Sequence, residues 1–340
     1  MRWSFTSNFK QLSLAKGFIV MDDIFKFLEN SSLKKGDFEK RHEFLIDGFL
    51  ASELITMIYA TGGSGKTFLS LSIAKELCKL NKKLYYLDFD NPVSVLKDRH
   101  VDELLINKFS NLKYIQRSSL QMQADDLIFE LERSAIKNAY RDCIFILDSL
   151  VNFCDLFNDN RLMRLFDALK NMREAGATII VLHHSNKDGK NYQGSTCIKN
   201  AIDCMYKLNQ KPSVVGELNF FLEVVKERAA IVNSAFCVKV ASLELSRLDE
   251  EIACMNEYEF DFTAKAIEIL KEKILSKTEL LNALGYEKDD KTARACLDKF
   301  DNKLWYSSKK GKNILYSCER DSTTVTTNTT IKENTLDLAV

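Results

Sequence analysis

The segment Ala60–Thr67, which reads A-T-G-G-S-G-K-T, constrains the fold of this chain more than any other feature. It follows an apolar run at 54–59 and precedes an amphipathic stretch at 66–80, so it is predicted to join a strand to a helix. Glycines let backbone N–H groups wrap a polyphosphate, and the N-terminus of the following helix adds a favourable dipole. A glycine-rich turn without a ligand is the alternative, but the strand–loop–helix context favours a phosphate-binding loop.

The side chains of this loop predict a nucleoside triphosphate, most simply ATP, bound together with Mg²⁺. Lys66 is placed to reach the β- and γ-phosphates, and the Thr67 hydroxyl is placed to complete the metal shell. Asp148 follows the apolar run C-I-F-I-L and is expected to hold the same ion from the end of a neighbouring strand; a turn aspartate is the alternative. The residues predicted to line the nucleotide are Thr61, Gly62, Gly63, Ser64, Gly65, Lys66, Thr67 and Phe68.

Short apolar runs alternate with amphipathic stretches from residue 54 to about 245. This alternation predicts an α/β fold with a mostly parallel sheet flanked by helices. The predicted strands lie near 54–59, 84–89, 113–116, 143–147 and 178–182, with further strands at 202–208, 217–226 and 234–241. The predicted helices lie near 66–80, 93–106, 123–139 and 160–175.

Four more segments make the chain resemble the RecA-like P-loop ATPases, particularly the hexameric helicase branch that includes plasmid RepA and DnaB-type proteins. They occur in the order of that family between about 44 and 240, and the resemblance implies a RecA-like NTPase core. The segments are Y-L-D-F-D-N-P ending at Pro92, V-L-H-H-S-N-K ending at Lys187, Q-G-S-T-x-I-K-N-A-I-D ending at Asp203, and K-E-R at 226–228.

The resemblance implies catalytic roles for two of these segments. Asp90 would orient the attacking water, although the family usually has glutamate there; Asp88 is the alternative acid, and capping of the helix near Pro92 is the non-catalytic alternative. His184 would sense the γ-phosphate, with His183 secondary. A structural histidine is the alternative in each case.

The resemblance also implies that Lys226 and Arg228 contact the γ-phosphate held by a neighbouring subunit. The two lie two apart on a predicted strand, so both are expected to point to one face. A solvated pair on an edge strand is the alternative. Contacts of this kind make the active form a homo-oligomer, with a hexameric ring favoured.

The segment 185–200 carries Lys187, Lys190 and Lys199 around a glycine. In the proteins that the chain resembles, the loop after the sensor faces the central channel of the ring and grips single-stranded DNA. Lysines there suit a sequence-independent contact with phosphates. A solvated mobile loop is the alternative.

Residues 262–318 are predicted to form a small winged helix-turn-helix, with helices at 264–273, from Ser276 to Gly285, and at 290–300, followed by a hairpin. DNA contact is preferred for this unit, and oligomerisation or protein docking is the alternative. The candidate DNA-binding residues are Lys291, Arg294, Lys309, Lys310 and Lys312.

Composition and patterning set the remaining expectations. Lysine plus arginine equals aspartate plus glutamate at 48 each, so contact with nucleic acid must be local. No apolar run reaches the length of a membrane span, no secretory signal is evident, and nine cysteines suit a reducing cytoplasm. The predicted organisation is a helical lead-in (1–43), an ATPase domain (44–245), an acidic linker (246–261), the winged unit (262–318) and a disordered tail (319–340).

Two functions follow from these expectations. One is a RepA-like replicative helicase of a plasmid or mobile element, driven by ATP hydrolysis. The alternative is an ATP-gated DNA-binding regulator or helicase loader that recognises its site through the winged unit.

Overall fold

The computed structural model describes residues 21–38, 43–310 and 313–319. Residues 1–20 and 39–42 of the predicted lead-in, and the predicted tail after residue 319, lie outside the described residues. The chain divides into two compact units, Met1–Cys254 and Met255–Val340. Within the described part of the chain, no helix has the length and apolarity needed to cross a bilayer.

The first unit is built on a nine-stranded sheet whose order is β11-β10-β9-β8-β3-β7-β6-β4-β5. The six strands from β8 to β5 in that order are parallel, and β9, β10 and β11 extend the sheet antiparallel. Two short strands, β1 (Phe44–Ile46) and β2 (Leu50–Ala51), pair with each other. The sheet strands are β3 (Ile55–Ala60), β4 (Lys83–Asp88), β5 (Leu112–Gln116), β6 (Cys143–Asp148), β7 (Thr178–His184), β8 (Cys204–Lys211), β9 (Glu217–Lys226), β10 (Ser234–Lys239) and β11 (Glu244–Leu248).

Helices cover both faces of this sheet. Strand β3 is buried on both faces. On one face, Ile58 and Ala60 belong to a hydrophobic cluster with residues of the helix 66–78. On the other face, Ile55, Met57 and Tyr59 belong to a cluster with residues of the helix 159–174. A strand buried on both faces reads as a continuous apolar run, which is how the sequence predicted it. The helices of this unit are α1 (Met21–Ser31), α2 (Lys66–Cys78), α3 (Val93–Asp98), α4 (Ala124–Arg133), α5 (Asp159–Glu174), α6 (Cys197–Ala201) and α7 (Glu250–Ala253).

The direction of the parallel strands gives the sheet two chemically different edges. The C-terminal edge is where β3, β4, β6 and β7 end, at Ala60, Asp88, Asp148 and His184. The N-terminal edge is where β3 and β8 begin. Ligands of open α/β sheets bind outside the C-terminal edge.

The predicted α/β class with a mostly parallel sheet is confirmed, and one expectation about the order of its strands is wrong. Strand β7 lies between β3 and β6, so Asp148 does not end a strand adjacent to the phosphate loop. The segment 246–261, predicted as an acidic linker, contains the boundary between the two units together with the end of β11, α7 and the first turn of the next helix.

The second unit combines three helices with a three-stranded antiparallel sheet of order β12-β14-β13. Trp305 is fully buried in this unit, and its indole Nε1 donates to the Leu297 carbonyl at 3.1 Å. Residues 311–312 at the turn of the hairpin lie outside the described residues. The elements are α8 (Glu257–Glu272), β12 (Leu275–Ser276), α9 (Lys277–Ala283), α10 (Lys291–Lys299), β13 (Tyr306–Lys310) and β14 (Asn313–Ser317).

Side-chain caps set where the helices of this unit begin. Ser276 and Glu279 form the predicted capping box of α9, and the Asp290 side chain accepts from the backbone N–H of Ala293 at the start of α10. Helix α8 begins seven residues before the predicted start at 264 because Asn256 and Glu259 form a second capping box there.

Candidate functional site

The phosphate loop runs from the end of β3 to the first residue of α2, as predicted. Gly63 and Gly65 have φ of 75° and 77°, in the left-handed region that favours glycine. A Cβ on Gly65 would lie 2.8 Å from a ring carbon of Phe220, so a side chain has no room there. The Ser64 hydroxyl donates to the Thr61 carbonyl at 2.7 Å and closes the turn.

The Lys66 ammonium lies between the loop and the ends of the neighbouring strands. It donates to the carbonyls of Ala60 at 3.1 Å and Thr61 at 2.9 Å, and it lies 3.5 Å from Nδ1 of His184. Burial lowers the pKa of Lys66, while the charges of Asp148 and Asp90 oppose that shift. Lys66 is therefore surrounded by the carbonyls of the loop, by His184 and by the charges of Asp148 and Asp90.

Asp148 ends β6 with its carboxylate almost completely buried. The Tyr86 hydroxyl donates to it at 3.1 Å. Burial, followed by the nearby charge of Asp88, raises the pKa of Asp148 to about 7. A buried carboxylate of raised pKa gains from a cation beside it, which suits the proposed Mg²⁺ role.

The donor set fits magnesium held jointly with a nucleotide. Thr67 lies partly exposed in the first turn of α2, and Asp148 supplies a carboxylate, both of them oxygen ligands. Among the described residues, no group of three or more acids, histidines or cysteines is arranged to hold a metal ion by itself. Phosphate oxygens would complete such a shell, as is usual for Mg²⁺ at nucleotides.

Asp88 and Asp90, the two candidates for the catalytic acid, have different surroundings. Asp88 is fully buried and accepts hydrogen bonds from the Tyr114 hydroxyl at 2.6 Å, from the backbone N–H groups of Asp90 and Asn91 at 3.1 and 3.0 Å, and from the Asn91 side chain at 3.1 Å. Asp90 is exposed. Asp88 therefore shapes the turn that presents Asp90.

The two histidines at the end of β7 also differ. His184 lies 3.5 Å from the Ser149 hydroxyl through Nε2, and with Nδ1 near Lys66 it bridges the loop and the end of β6. His183 is fully buried, its Nε2 lies 2.7 Å from the carbonyl of Gln193, and burial lowers its pKa to about 4. A neutral His183 therefore holds the segment around Gln193 against β7, and His184 faces the phosphate loop.

The chain after His184 forms a tight hairpin at the C-terminal edge. Ser185 pairs with Tyr192, and a Cβ on Gly189 at the tip would lie 3.2 Å from the Thr61 side chain, so the tip touches the phosphate loop. Lys187 and Lys190 are exposed on this hairpin.

Lys199 does not join the other two lysines, contrary to the grouping of the predicted DNA-binding loop. It lies in α6, and its carbonyl accepts from the Lys226 side chain. Lys226 in turn pairs with Met205 near the start of β8, at the N-terminal edge. Between the hairpin and α6, the chain therefore runs from the C-terminal edge of the sheet to the N-terminal edge.

Lys226 and Arg228 lie at the N-terminal edge, away from the phosphate loop of their own chain. Strand β9 ends at Lys226, so Arg228 lies just beyond the strand and the expectation that both belong to it is wrong. Both still reach one segment, because Lys226 contacts the carbonyl of Ile202 at 2.6 Å and Arg228 donates to Asp203 at 3.0 Å.

In the second unit, four of the five predicted DNA-binding residues can be placed. Lys291 and Arg294 are exposed in the first turns of α10, and Lys309 and Lys310 are exposed at the end of β13. Lys312 lies outside the described residues.

Several site residues were missed by the sequence analysis. The rings of Tyr86 and Tyr114 stack with centroids 4.7 Å apart, and their hydroxyls donate to Asp148 and Asp88 respectively. Tyrosines in otherwise apolar strands were the available signal, since a buried hydroxyl needs a partner. Arg99 donates to the Asn91 side chain at 3.0 Å and lies over the ring of Phe68, which packs beside the loop.

The sheet order and the strand–loop–helix segment at 60–67 define a mostly parallel α/β fold that carries a phosphate-binding loop. Residues 30–190 match the family described as AAA domain. Similar solved structures include the flagellar accessory protein FlaH from Methanocaldococcus jannaschii, at 15% identity over 64% of this chain and 97% of that one, with a TM-score of 0.42. The RadB recombinase is similar at 16% identity over 59% of this chain and 93% of its own, with a TM-score of 0.42. No curated protein matches the chain.

Proposed function

We propose that this chain hydrolyses ATP as a ring-shaped homo-oligomer, with a hexamer favoured, that moves along single-stranded DNA. In that role it is a RepA-like replicative helicase of a plasmid or mobile element. The observation that carries the proposal is the separation of Arg228 from the phosphate loop of its own chain, on opposite edges of one sheet.

The chemistry at the C-terminal edge follows from the surroundings of each group. Lys66 and the loop N–H groups bind the β- and γ-phosphates; Thr67 and Asp148 would hold Mg²⁺, which when bound would neutralise charge on those phosphates. The exposed Asp90 orients the attacking water. His184, within reach of both Lys66 and Ser149, responds to the presence of the γ-phosphate.

The geometry supports a role for Arg228 in trans. Its partner Asp203 also accepts from the backbone N–H of Ile55, the first residue of β3, while the loop begins after Ala60. Five residues of strand separate those points by about 17 Å. An arginine side chain does not extend that far, so only a nucleotide on another subunit is available to Arg228.

The hairpin carrying Lys187 and Lys190 supports the DNA role. Its tip touches the phosphate loop, so the two exposed lysines lie beside the segment that would hold the phosphates. Lysines on a surface hairpin suit contact with a phosphate backbone of any sequence.

ATP hydrolysis measured with and without single-stranded DNA tests this proposal. We expect stimulation by the strand, with Lys66→Ala as the control that reports contaminating ATPase. Hydrolysis that single-stranded DNA leaves unchanged would contradict the motor.

The second candidate is an ATP-gated regulator or helicase loader. The order helix, strand, helix, helix and hairpin in the second unit supports a winged helix, and Lys291, Arg294, Lys309 and Lys310 are its exposed basic residues. Strand separation of a forked duplex distinguishes the two. Unwinding supports the motor, whereas ATPase stimulated only by a particular duplex supports the regulator.

A further inference from the structure

We infer that Asp203 is a positioning residue for Arg228, holding its guanidinium by one nitrogen so that the other donors face the nucleotide of an adjoining subunit. The inference rests on the proposed role of Arg228 in trans. It also reassigns Lys226, which the resemblance made a second phosphate contact, to an anchoring role.

Asp203 is a buried carboxylate whose charge and hydrogen-bond acceptors are satisfied by groups other than Arg228. The side chain of Arg173 donates to its two oxygens at 2.7 and 2.8 Å, and the N–H of Ile55 donates to Oδ2 at 2.9 Å. The Asp203 side chain is 1% exposed and that of Arg173 is 18% exposed. A buried charge that is paired with an arginine nitrogen in reach of both oxygens, and that also accepts from a backbone N–H, is already compensated.

Arg228 is a second arginine that contacts Asp203, and it does so from the surface of the subunit. Its side chain is 56% exposed and donates to Oδ1 at 3.0 Å through a single terminal nitrogen. A half-exposed ion pair contributes little to stability, so its main effect is on orientation. A planar guanidinium held along one side presents its other N–H groups in a fixed direction, which suits recognition of a phosphate.

Lys226 fixes the backbone two residues before Arg228. Its ammonium contacts the carbonyls of Lys199 at 2.5 Å, Ile202 at 2.6 Å and Asn200 at 3.4 Å, at the end of α6. Burial, followed by the charge of Arg228, lowers the pKa of Lys226. With three carbonyl contacts, the ammonium is engaged within its own subunit, and the strand end that leads to Arg228 is held in place.

The experiment uses rings co-expressed from two differently tagged full-length chains. A Lys66→Ala chain can supply Arg228 to the nucleotide site of its neighbour, but its own site cannot bind the triphosphate productively. An Arg228→Ala chain can bind the triphosphate, but it supplies no arginine to its neighbour. Neither alone should hydrolyse ATP, and mixed rings should recover turnover at the sites of the Arg228→Ala chains.

Asp203→Asn is then placed on one chain type at a time. The amide keeps an oxygen for the Ile55 N–H and removes the charge that orients Arg228. On the Lys66→Ala chain it should lower kcat of mixed rings about ten-fold or more at unchanged KM, because misplacing a catalytic group is costly. On the Arg228→Ala chain it should change kcat less than about two-fold.

Two further variants guard against a merely structural effect. Arg173→Lys alters the same buried carboxylate without touching Arg228, and it should leave kcat of mixed rings within about two-fold on either chain. Lys226→Met, at a half-buried side chain, should lower kcat only on the Lys66→Ala chain, and it provides the test if Asp203→Asn fails to fold.

The outcomes separate the inference from the function beneath it. No recovery in unsubstituted mixed rings overturns the proposed role of Arg228 in trans. Recovery, with Asp203→Asn or Lys226→Met acting equally on both chain types, leaves that role standing and overturns the positioning role.

Discussion

The different surroundings of Asp88 and Asp90 predict opposite effects of the same isosteric change. Asp88→Asn can keep an acceptor oxygen at Oδ1 for the backbone N–H groups of Asp90 and Asn91, but it then turns an NH₂ group toward the two donors at Oδ2, the Tyr114 hydroxyl and the Asn91 side chain. Leaving a buried donor unpaired costs about 1–3 kcal/mol, so losing the acceptor for two of them costs about 3 kcal/mol. For a unit of this size, that loss lowers the Tm by roughly 6–12 °C.

Asp90→Asn should do the reverse. The side chain is exposed, so the change should alter stability by less than about 0.5 kcal/mol. Loss of the carboxylate that we propose to orient water should lower kcat by about 10²–10⁴-fold with little change in KM.

Thermal unfolding without nucleotide and steady-state ATPase, measured on both variants, form the assay. Tyr114→Phe is the matched control, because it removes one donor while Asp88 keeps its backbone partners, and it should cost about 1 kcal/mol. An Asp88→Asn protein that melts like the parent yet has lost turnover would refute the assignment of Asp88 to the turn and Asp90 to the water.

Three further predictions concern other parts of the chain. Gly65→Ala should weaken binding of Mg-ATP in calorimetry by about ten-fold or more, because the new Cβ meets Phe220 at 2.8 Å on backbone with φ of 77°; unchanged affinity would contradict this. Replacing Lys187 and Lys190 together by alanine should reduce the slope of log affinity against log salt for single-stranded DNA by about 1.4, as measured by fluorescence anisotropy. An unchanged slope would remove both lysines from the DNA contact. Trp305→Ala should cost about 3–5 kcal/mol and expose the second unit to limited proteolysis, since the ring is fully buried there; equal resistance would count against that.

Local pattern was sufficient for the main sheet and the loop. The runs that became β3, β6 and β7 are buried along nearly their whole length, so their apolar character survives in the sequence without ambiguity. The loop is equally local, because strand, glycines and helix are contiguous. Order within the sheet is not local, which is why β7 was not expected between β3 and β6.

Contacts between distant segments decided the details of the site. Asp88 and Asp90 look alike in sequence, and the tyrosine that distinguishes them comes from another strand, 26 residues away. Arg228 meets a carboxylate 25 residues earlier in the chain, and that carboxylate meets Arg173 a further 30 residues back. No periodicity reports such pairings, since each depends on which strands become neighbours.

In the proposed assembly, the two edges of the sheet give every subunit unlike ends: the nucleotide of one end is contacted by an arginine of the neighbouring subunit, and the other end supplies that arginine. Copies joined through unlike ends repeat with a constant rotation, which either closes or continues as an open helix. In an open arrangement, the terminal subunit always holds a nucleotide that no arginine reaches. Closure removes that idle position, so turnover per subunit should rise with protein concentration and level off when every ring is complete.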